Sequence, residues 1–192
     1  MATRKTIRSM LAAGSLLAIG RAREVAALVL VHPRLTPSLV ECLWDEDTGV
    51  ANRAADALEH VSRDRPSILE PWSASLLGLL SEAVESRLRW NLVQIVPRLA
   101  LEGPEVRRAA ALLEACLEDR SSIVKTSAMQ SLADLAHRNR SMLPEVLDLL
   151  RIHTRSGTPA MRARGRKLLK VLVPADAHTF LGSASPRIRN PG

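Results

Sequence analysis

The segment DEDTGVANRAADALEHV, residues 45–61, decides the fold because a turn and one face of a helix follow each other in it. Asp and Thr in the first four positions are residues that cap the N-terminus of a helix. From Val50 onward, apolar residues stand at offsets 0, +4, +7, +8 and +11, which places them on one helical face. The segment therefore predicts a short turn followed by an amphipathic helix over residues 50–62.

The same apolar spacing occurs four times, at successive offsets of 38, 36 and 37 residues. The four sets are Val50, Ala54, Ala57, Leu58 and Val61; Leu88, Leu92, Ile95, Val96 and Leu99; Val124, Ala128, Ser131, Leu132 and Leu135; and Met161, Gly165, Leu168, Leu169 and Leu172. Two further registers lie upstream, at Leu39, Leu77, Leu113 and Leu150 and at Cys42, Leu80, Cys116 and His153. Self-similarity at a fixed period of this length is typical of repeat architectures.

Each repeat is predicted to be a pair of helices, with the second helices over 50–62, 87–100, 123–136 and 160–172. One pair cannot bury its apolar face alone, whereas stacked pairs share a continuous core. The 192-residue chain is 46% hydrophobic but only 2% aromatic, which argues against β-sandwiches and barrels. We therefore predict an all-α fold, a right-handed α-solenoid of antiparallel helix pairs with about five repeats.

The predicted organisation has three parts: a divergent helix pair over 1–35 that caps the stack, four repeats over 36–173, and an extended or disordered tail over 174–192. Residues 1–23 carry basic residues around the apolar run from Met10 to Gly20, which is also the outline of a secretory signal or organellar presequence. The alternative is a first amphipathic helix of the fold. Arg21, Arg23 and Glu24 interrupt the run before the ~20 residues of a membrane span, so we expect no membrane association.

The chain is basic, with a net charge of +7, and the charge is uneven. Residues 138–192 hold eleven basic and three acidic residues, whereas residues 37–62 hold six acidic and one basic. A basic end is compatible with nucleic acid, acidic lipid or an acidic protein. Cys42 and Cys116, the only cysteines, occupy one register of different repeats and are predicted to be buried and unbonded, which favours a reducing, cytoplasmic location.

The turns and second helices resemble the HEAT repeat, which has an Asp in the turn and an Arg or Lys after the first apolar residue of the second helix. The matching residues are Asp45, Asp119, Arg89, Lys125 and Arg162, and the departures are Ala83, Ser156 and Ala51. The resemblance implies a right-handed α-solenoid, usually a scaffold or adaptor, and a ladder between repeats. In this chain the ladder would join Asp45 to Arg89, and Asp119 to Lys125 or Arg162.

No enzyme motif accompanies these repeats. The five histidines stand beside no nucleophile motif, and the chain has no Gly-rich phosphate loop and no Cys/His spacing for a metal. We therefore expect no catalysis, cofactor or metal. One enzyme class, the alkylpurine DNA glycosylases, resembles the chain in fold class and basic charge, and needs an Asp in a cleft beside Trp and Arg. Here the candidates are Trp44-Asp45 and Trp90, although the repeat turn already accounts for Asp45.

The second helices of such a stack line its concave surface, and offsets +2, +5, +6 and +9 are predicted to point into it. In the middle repeats these offsets predict a partner-binding surface of Trp90, Val93, Gln94, Met129 and Gln130. The last repeat carries a basic patch: Arg162, Arg164, Arg166, Lys167 and Lys170. We expect a protein partner in the groove, or alternatively nucleic acid at the basic end. Two alternatives remove Trp90 from the surface: the stack covers it, or Pro97 rotates it inward.

Overall fold

The computed structural model describes residues 4–13 and 21–173. Within these residues the chain forms ten α-helices and no strand. The helices are α1 (Arg4–Ala12), α2 (Ala22–Val31), α3 (Thr36–Glu41), α4 (Thr48–Asp64), α5 (Ser73–Glu82), α6 (Ser86–Ile95), α7 (Pro104–Ala115), α8 (Ser122–Arg138), α9 (Leu143–Ser156) and α10 (Pro159–Leu172). The four predicted second helices are α4, α6, α8 and α10, so the prediction of their positions is confirmed.

The helices form the two layers of a solenoid. Each repeat pairs a first helix with a second one, in the pairs α3–α4, α5–α6, α7–α8 and α9–α10. The second helices pack side by side in the order α2, α4, α6, α8 and α10. Because each inner second helix touches its own first helix and a second helix on either side, only a narrow strip of its surface remains open.

The core contains the registers that the sequence predicts. Val50, Leu88, Val124 and Met161 at offset 0 are all buried, as are the upstream leucines Leu39, Leu77, Leu113 and Leu150. Each leucine taken out of water in this way stabilises the fold by about 1.5–3 kcal/mol. Cys42 and Cys116 are buried and form no disulfide with each other. His153 is only partly buried, because it belongs to the last helix pair of the described residues and no further described repeat packs on it.

Local chemistry sets the helix boundaries. The side chain of Asp47 accepts hydrogen bonds from Gly49 N (2.8 Å) and Val50 N (3.3 Å), and so caps α4. Helix α6 ends at Ile95, earlier than the predicted residue 100, and continues as a 3₁₀ turn over Val96–Arg98. Pro97 explains the difference, because proline has no N–H for the helical hydrogen bond. The turn directs Arg98 back across the second helices.

Both helices of the predicted N-terminal pair exist, as α1 and α2. The buried Arg53 of α4 donates a hydrogen bond from Nε to the carbonyl of Leu11, which attaches α1 to the stack. The predicted tail over 174–192 lies outside the described residues. Residues 14–20, which form most of the apolar run from Met10 to Gly20, also lie outside them. No helix in the described ranges has the length and apolar character to cross a membrane.

The ladder between repeats exists, but its predicted pairing is wrong. Arg89 pairs with Asp119 of the following repeat (3.1 Å), and Arg8 of α1 pairs with Asp45 (2.7 Å). Each Asp also accepts a hydrogen bond from its own turn, at the amide of Asp47 or of Ser121. The cation thus comes from the preceding element and reaches forward.

Because each cation pairs with the Asp of the following repeat, Lys125 and Arg162 have no ladder Asp to pair with among the described residues. The repeat after Lys125 has Ser156 at the turn position, and Lys125 lies instead 4.0 Å from Glu118. Arg162 donates to the carbonyl of Gly157 (3.0 Å). Neither pairs with Asp119, contrary to the prediction.

Candidate concave binding groove

Two of the five residues predicted to bind a partner are core residues instead. Val93 and Met129, both at offset +5, are 0% exposed. The carbonyl of Val93 accepts a hydrogen bond from Ser131 of α8 (2.8 Å), and the Met129 side chain lies against Gly165 of α10. Offset +5 therefore faces the second helix of the next repeat rather than solvent, and these two residues cannot form the predicted surface.

Trp90 lies between core and surface. Its ring is partly buried against the core, and its Nε1 donates to Ser127 Oγ of α8 (3.1 Å). The other side of the ring lines an open cavity of about 250 Å³. The stack thus covers one face of Trp90, while the Pro97 turn lies after the helix and does not rotate it.

Gln94 and Gln130 remain on the groove side. Gln94 donates to the carbonyl of Trp90 (3.2 Å), and Gln130 donates to Asp134 (2.8 Å). Gln130 also accepts a hydrogen bond from Arg164 of α10 (2.9 Å). The two glutamines are therefore held in place rather than free to adapt, and through Arg164 they connect the middle of the groove to the basic patch.

All five residues of the predicted basic patch are exposed on α10. Arg162 and Arg164 have acceptors at Gly157 and Gln130, as described above. Arg166, Lys167 and Lys170 have no acceptor among the described residues. These three cations are available to a partner.

The carboxylate of Glu59, at offset +9 of α4, is neutralised by arginines. Glu59 has a side chain only 4% exposed, and it accepts hydrogen bonds from Arg63 (2.7 Å and 2.8 Å) and Arg98 (2.9 Å). Burial alone would raise the pKa of Glu59, but the hydrogen bonds from Arg63 and Arg98 outweigh it and hold the pKa below its usual value. Glu59 therefore stays ionised and joins α4 to α6.

Three cavities of about 250, 130 and 520 Å³ adjoin along the second helices, because they share Arg63, Gln94, Arg98 and Asp134. We call this continuous depression the groove. Its charged lining comprises six arginines and three carboxylates: Arg23, Arg63, Arg87, Arg98, Arg138 and Arg164, and Asp56, Glu59 and Asp134. Arg164 also belongs to the basic patch, and without it five arginines still outnumber three carboxylates, so the groove is positive.

Comparison with known proteins identifies the family. A family model described as the HEAT repeat domain matches residues 14–170. The chain is a member of the HEAT-repeat family. It is also similar to the crystal structure of an engineered protein from the Northeast Structural Genomics Consortium, with a TM-score of 0.58 and 16% identity over 88% of this chain and 78% of that one. No curated protein matches its sequence. The structural likeness supports the HEAT-type solenoid fold.

Asp45, the candidate catalytic aspartate of a glycosylase in the sequence analysis, does not line the groove of this HEAT solenoid. Asp45 belongs to a turn within a repeat and pairs with Arg8, and Trp44 is exposed beside it. The acidic residues that share a cavity with Trp90 are Asp56 and Glu59. In the described ranges no group of three or more His, Cys, Asp or Glu side chains is placed to hold a metal ion.

Sequence reasoning also missed Arg23 and Arg87, which line the Trp90 cavity. Neither has a hydrogen-bond acceptor or an ion-pair partner among the described residues. Arg87 directly precedes Leu88, the first apolar residue of its helix, and has none of the offsets +2, +5, +6 or +9. This position next to Leu88 is the sequence feature that could have identified Arg87 as a groove residue. Arg23 occupies a helix outside the four repeats from which the offsets were derived.

Proposed function

We propose that this HEAT-repeat chain is a scaffold without catalytic activity that binds a protein partner along the groove. One observation carries the proposal: two arginines without acceptors, Arg23 and Arg87, line the cavity that one face of Trp90 leaves open. Trp and Arg are the residues most enriched at the energetic centres of protein interfaces. The two buried cysteines, Cys42 and Cys116, are not joined by a disulfide, which supports a reducing compartment such as the cytoplasm as the location of the protein.

Site-specific photo-crosslinking in native extract tests this function. A photoreactive amino acid replaces His60, which lines the Trp90 cavity, and in a matched variant it replaces Arg108, which is exposed on α7. We expect discrete protein adducts from position 60 that persist after nuclease treatment, and none of these adducts from position 108. Adducts that disappear with nuclease, or that form equally from both positions, contradict the proposal.

A second candidate function is recognition of nucleic acid, including base excision as in the alkylpurine DNA glycosylases that the chain resembles. The observation that favours it is Asp56, which lines the same cavity as Trp90 with Arg23, Arg63 and Arg87 nearby. Alkylated duplex DNA tests this candidate. Release of free base that Asp56→Asn abolishes supports it, and the absence of release by the unaltered protein rejects the excision activity.

A further inference from the structure

We propose that the occupant of the groove is an extended, acidic segment of a protein, about ten to twelve residues long. Its carboxylates pair with Arg23 of α2, with Arg87 of α6 and with the cations of α10. This inference rests on the proposed scaffold function and specifies the chemistry of the partner.

Charge sets the sign of the occupant. Glu59 is neutralised by Arg63 and Arg98, and Arg138 donates to the carbonyls of Pro97 (2.7 Å) and Leu99 (3.2 Å). Arg23 and Arg87 in contrast have no acceptor, like the α10 cations. Arginine presents a planar fork that matches a carboxylate in bidentate geometry. An occupant with carboxylates therefore satisfies donors that the described chain leaves open.

The direction of the groove sets the shape of the occupant. The open cations that avoid the inter-repeat offset +5 are Arg23, Arg87 and, beyond the cavities of the groove, Lys167 and Lys170. They lie on α2, α6 and α10, the first, third and fifth helices of the second-helix layer. Four helix spacings of about 8–10 Å give a path of about 32–40 Å across the layer. An extended chain covers about 3.3 Å per residue, so ten to twelve residues span the path. A partner helix of the same residue number would reach less than half of it, because its rise is about 1.5 Å per residue.

Two acidic residues in the groove favour a peptide over nucleic acid. Asp56 and Asp134 line it, and neither forms an ion pair among the described residues. A peptide backbone offers N–H donors to these carboxylates, whereas the phosphates of nucleic acid are acceptors that the carboxylates repel. Trp90 is also the one Trp, Tyr or Phe side chain among the residues that line the groove, beside the imidazoles of His60 and His137, and its Nε1 is already bonded to Ser127. Single-stranded nucleic acid typically stacks on several large aromatic rings, and the groove offers one.

Fluorescence anisotropy with defined probes tests the inference. The probes are a twelve-residue peptide with Glu at every third position and Ser between, its Gln counterpart, a six-residue Glu version, and a single-stranded oligonucleotide of equal charge. The protein is the full chain, the double variant Arg23→Glu/Arg87→Glu, and the matched control Arg108→Glu/Arg155→Glu, which reverses two exposed cations on α7 and α9. Circular dichroism verifies that all three are folded.

We expect the twelve-residue Glu peptide to bind the unaltered chain at least about ten-fold more tightly than the Gln and six-residue peptides. Binding falls about ten-fold or more in Arg23→Glu/Arg87→Glu and by less than about two-fold in the control. Raising the salt from 50 to 200 mM weakens it, because the pairing is electrostatic.

The opposite outcomes separate the two proposals. If the Glu peptide binds no better than the Gln peptide, or equally well to both double variants, the acidic occupant is wrong. The same holds if the oligonucleotide binds more tightly than the Glu peptide. If position 60 nevertheless gives nuclease-resistant protein adducts, the scaffold function stands and only the occupant is overturned. If that crosslinking also fails, both are overturned.

Discussion

Helices α6 and α10 have the same apolar spacing but opposite surfaces. At offsets +2, +5, +6 and +9, α6 and the 3₁₀ turn after it carry Trp90, Val93, Gln94 and Pro97, all buried or partly buried. At the same offsets α10 carries Ala163, Arg166, Lys167 and Lys170, all exposed. Helix α6 packs between α4 and α8, whereas α10 packs against α8 and no second helix follows it among the described residues.

The comparison shows that offset +5 is a contact between repeats and not part of the concave surface. The residue at this offset is Ala55, Val93 and Met129 in the inner repeats and Arg166 in the last one. Apolar residues there indicate a repeat that has a following neighbour, and a charge there indicates the end of the described stack. The polar strip that we propose as the binding surface is correspondingly narrower than four offsets per helix.

The largest expected effect comes from giving α6 the chemistry of α10. Val93→Lys places an ammonium group between α6 and α8, where Val93 is 0% exposed. We expect a loss of about 4 kcal/mol or more in the free energy of unfolding, because a buried charge lacks a partner there. Arg166→Ala, at the same offset in α10, should change it by less than about 0.5 kcal/mol. Urea denaturation measures both, and similar losses would refute the assignment of +5.

The next effect concerns the ionic joint between α4 and α6. Arg98→Met removes the hydrogen bonds to Glu59 (2.9 Å) and to Ser62 Oγ (2.8 Å), and leaves Glu59 with Arg63 alone. We expect a loss of about 2–3 kcal/mol, because a buried carboxylate loses one of its two cations. Arg164→Met, whose guanidinium is exposed and bonds only to Gln130, serves as the control and should cost less than about 1 kcal/mol. Equal melting temperatures would contradict this ranking.

A smaller effect tests the close packing of the last helix pair. Offset +4 holds Leu92 in α6 but Gly165 in α10, and a Cβ at Gly165 would overlap Thr154 Oγ1 of α9. We expect Gly165→Ala to destabilise the chain by about 2 kcal/mol. The matched substitution Gly78→Ala in α5 meets nothing within 4 Å and should stabilise it by about 0.5–1 kcal/mol. Thermal unfolding of both variants checks the opposite signs.

The smallest expected effect is a dependence on pH. The pKa of Glu59 is lower in the folded chain than in the unfolded chain, where it is about 4.3. Ionised Glu59 therefore stabilises the folded state above that pH, and this contribution is lost as the pH falls through the folded-state pKa. We expect Glu59→Gln to be about 1–2 kcal/mol less stable than the unaltered chain at pH 7, and the difference to shrink as the pH falls below the unfolded pKa of about 4.3. Glu114→Gln on the exposed face of α7 should show no such trend. Denaturation curves across this range decide the matter.

Much of the architecture was predictable because local patterns determine it. The period, the positions of the second helices, the buried register at offset 0 and the buried leucine register eleven residues upstream all follow from the apolar spacing, and the structure contains each of them. The candidate site was less predictable. Gln94 and Gln130 line the groove as their offsets predict, whereas Val93 and Met129 are buried, and Arg23 and Arg87 were not proposed at all.

The sequence by itself determined that this chain is a stack of helix pairs, because apolar residues at helical spacing leave one pair unable to bury its own face. Only the tertiary structure decided which of the remaining faces stay open. The Arg89–Asp119 pairing, the burial of Val93 and the neutralisation of Glu59 by Arg98 each join different repeats. Such contacts depend on how far one repeat is shifted and rotated relative to the next, and a periodic sequence pattern carries no information on that displacement.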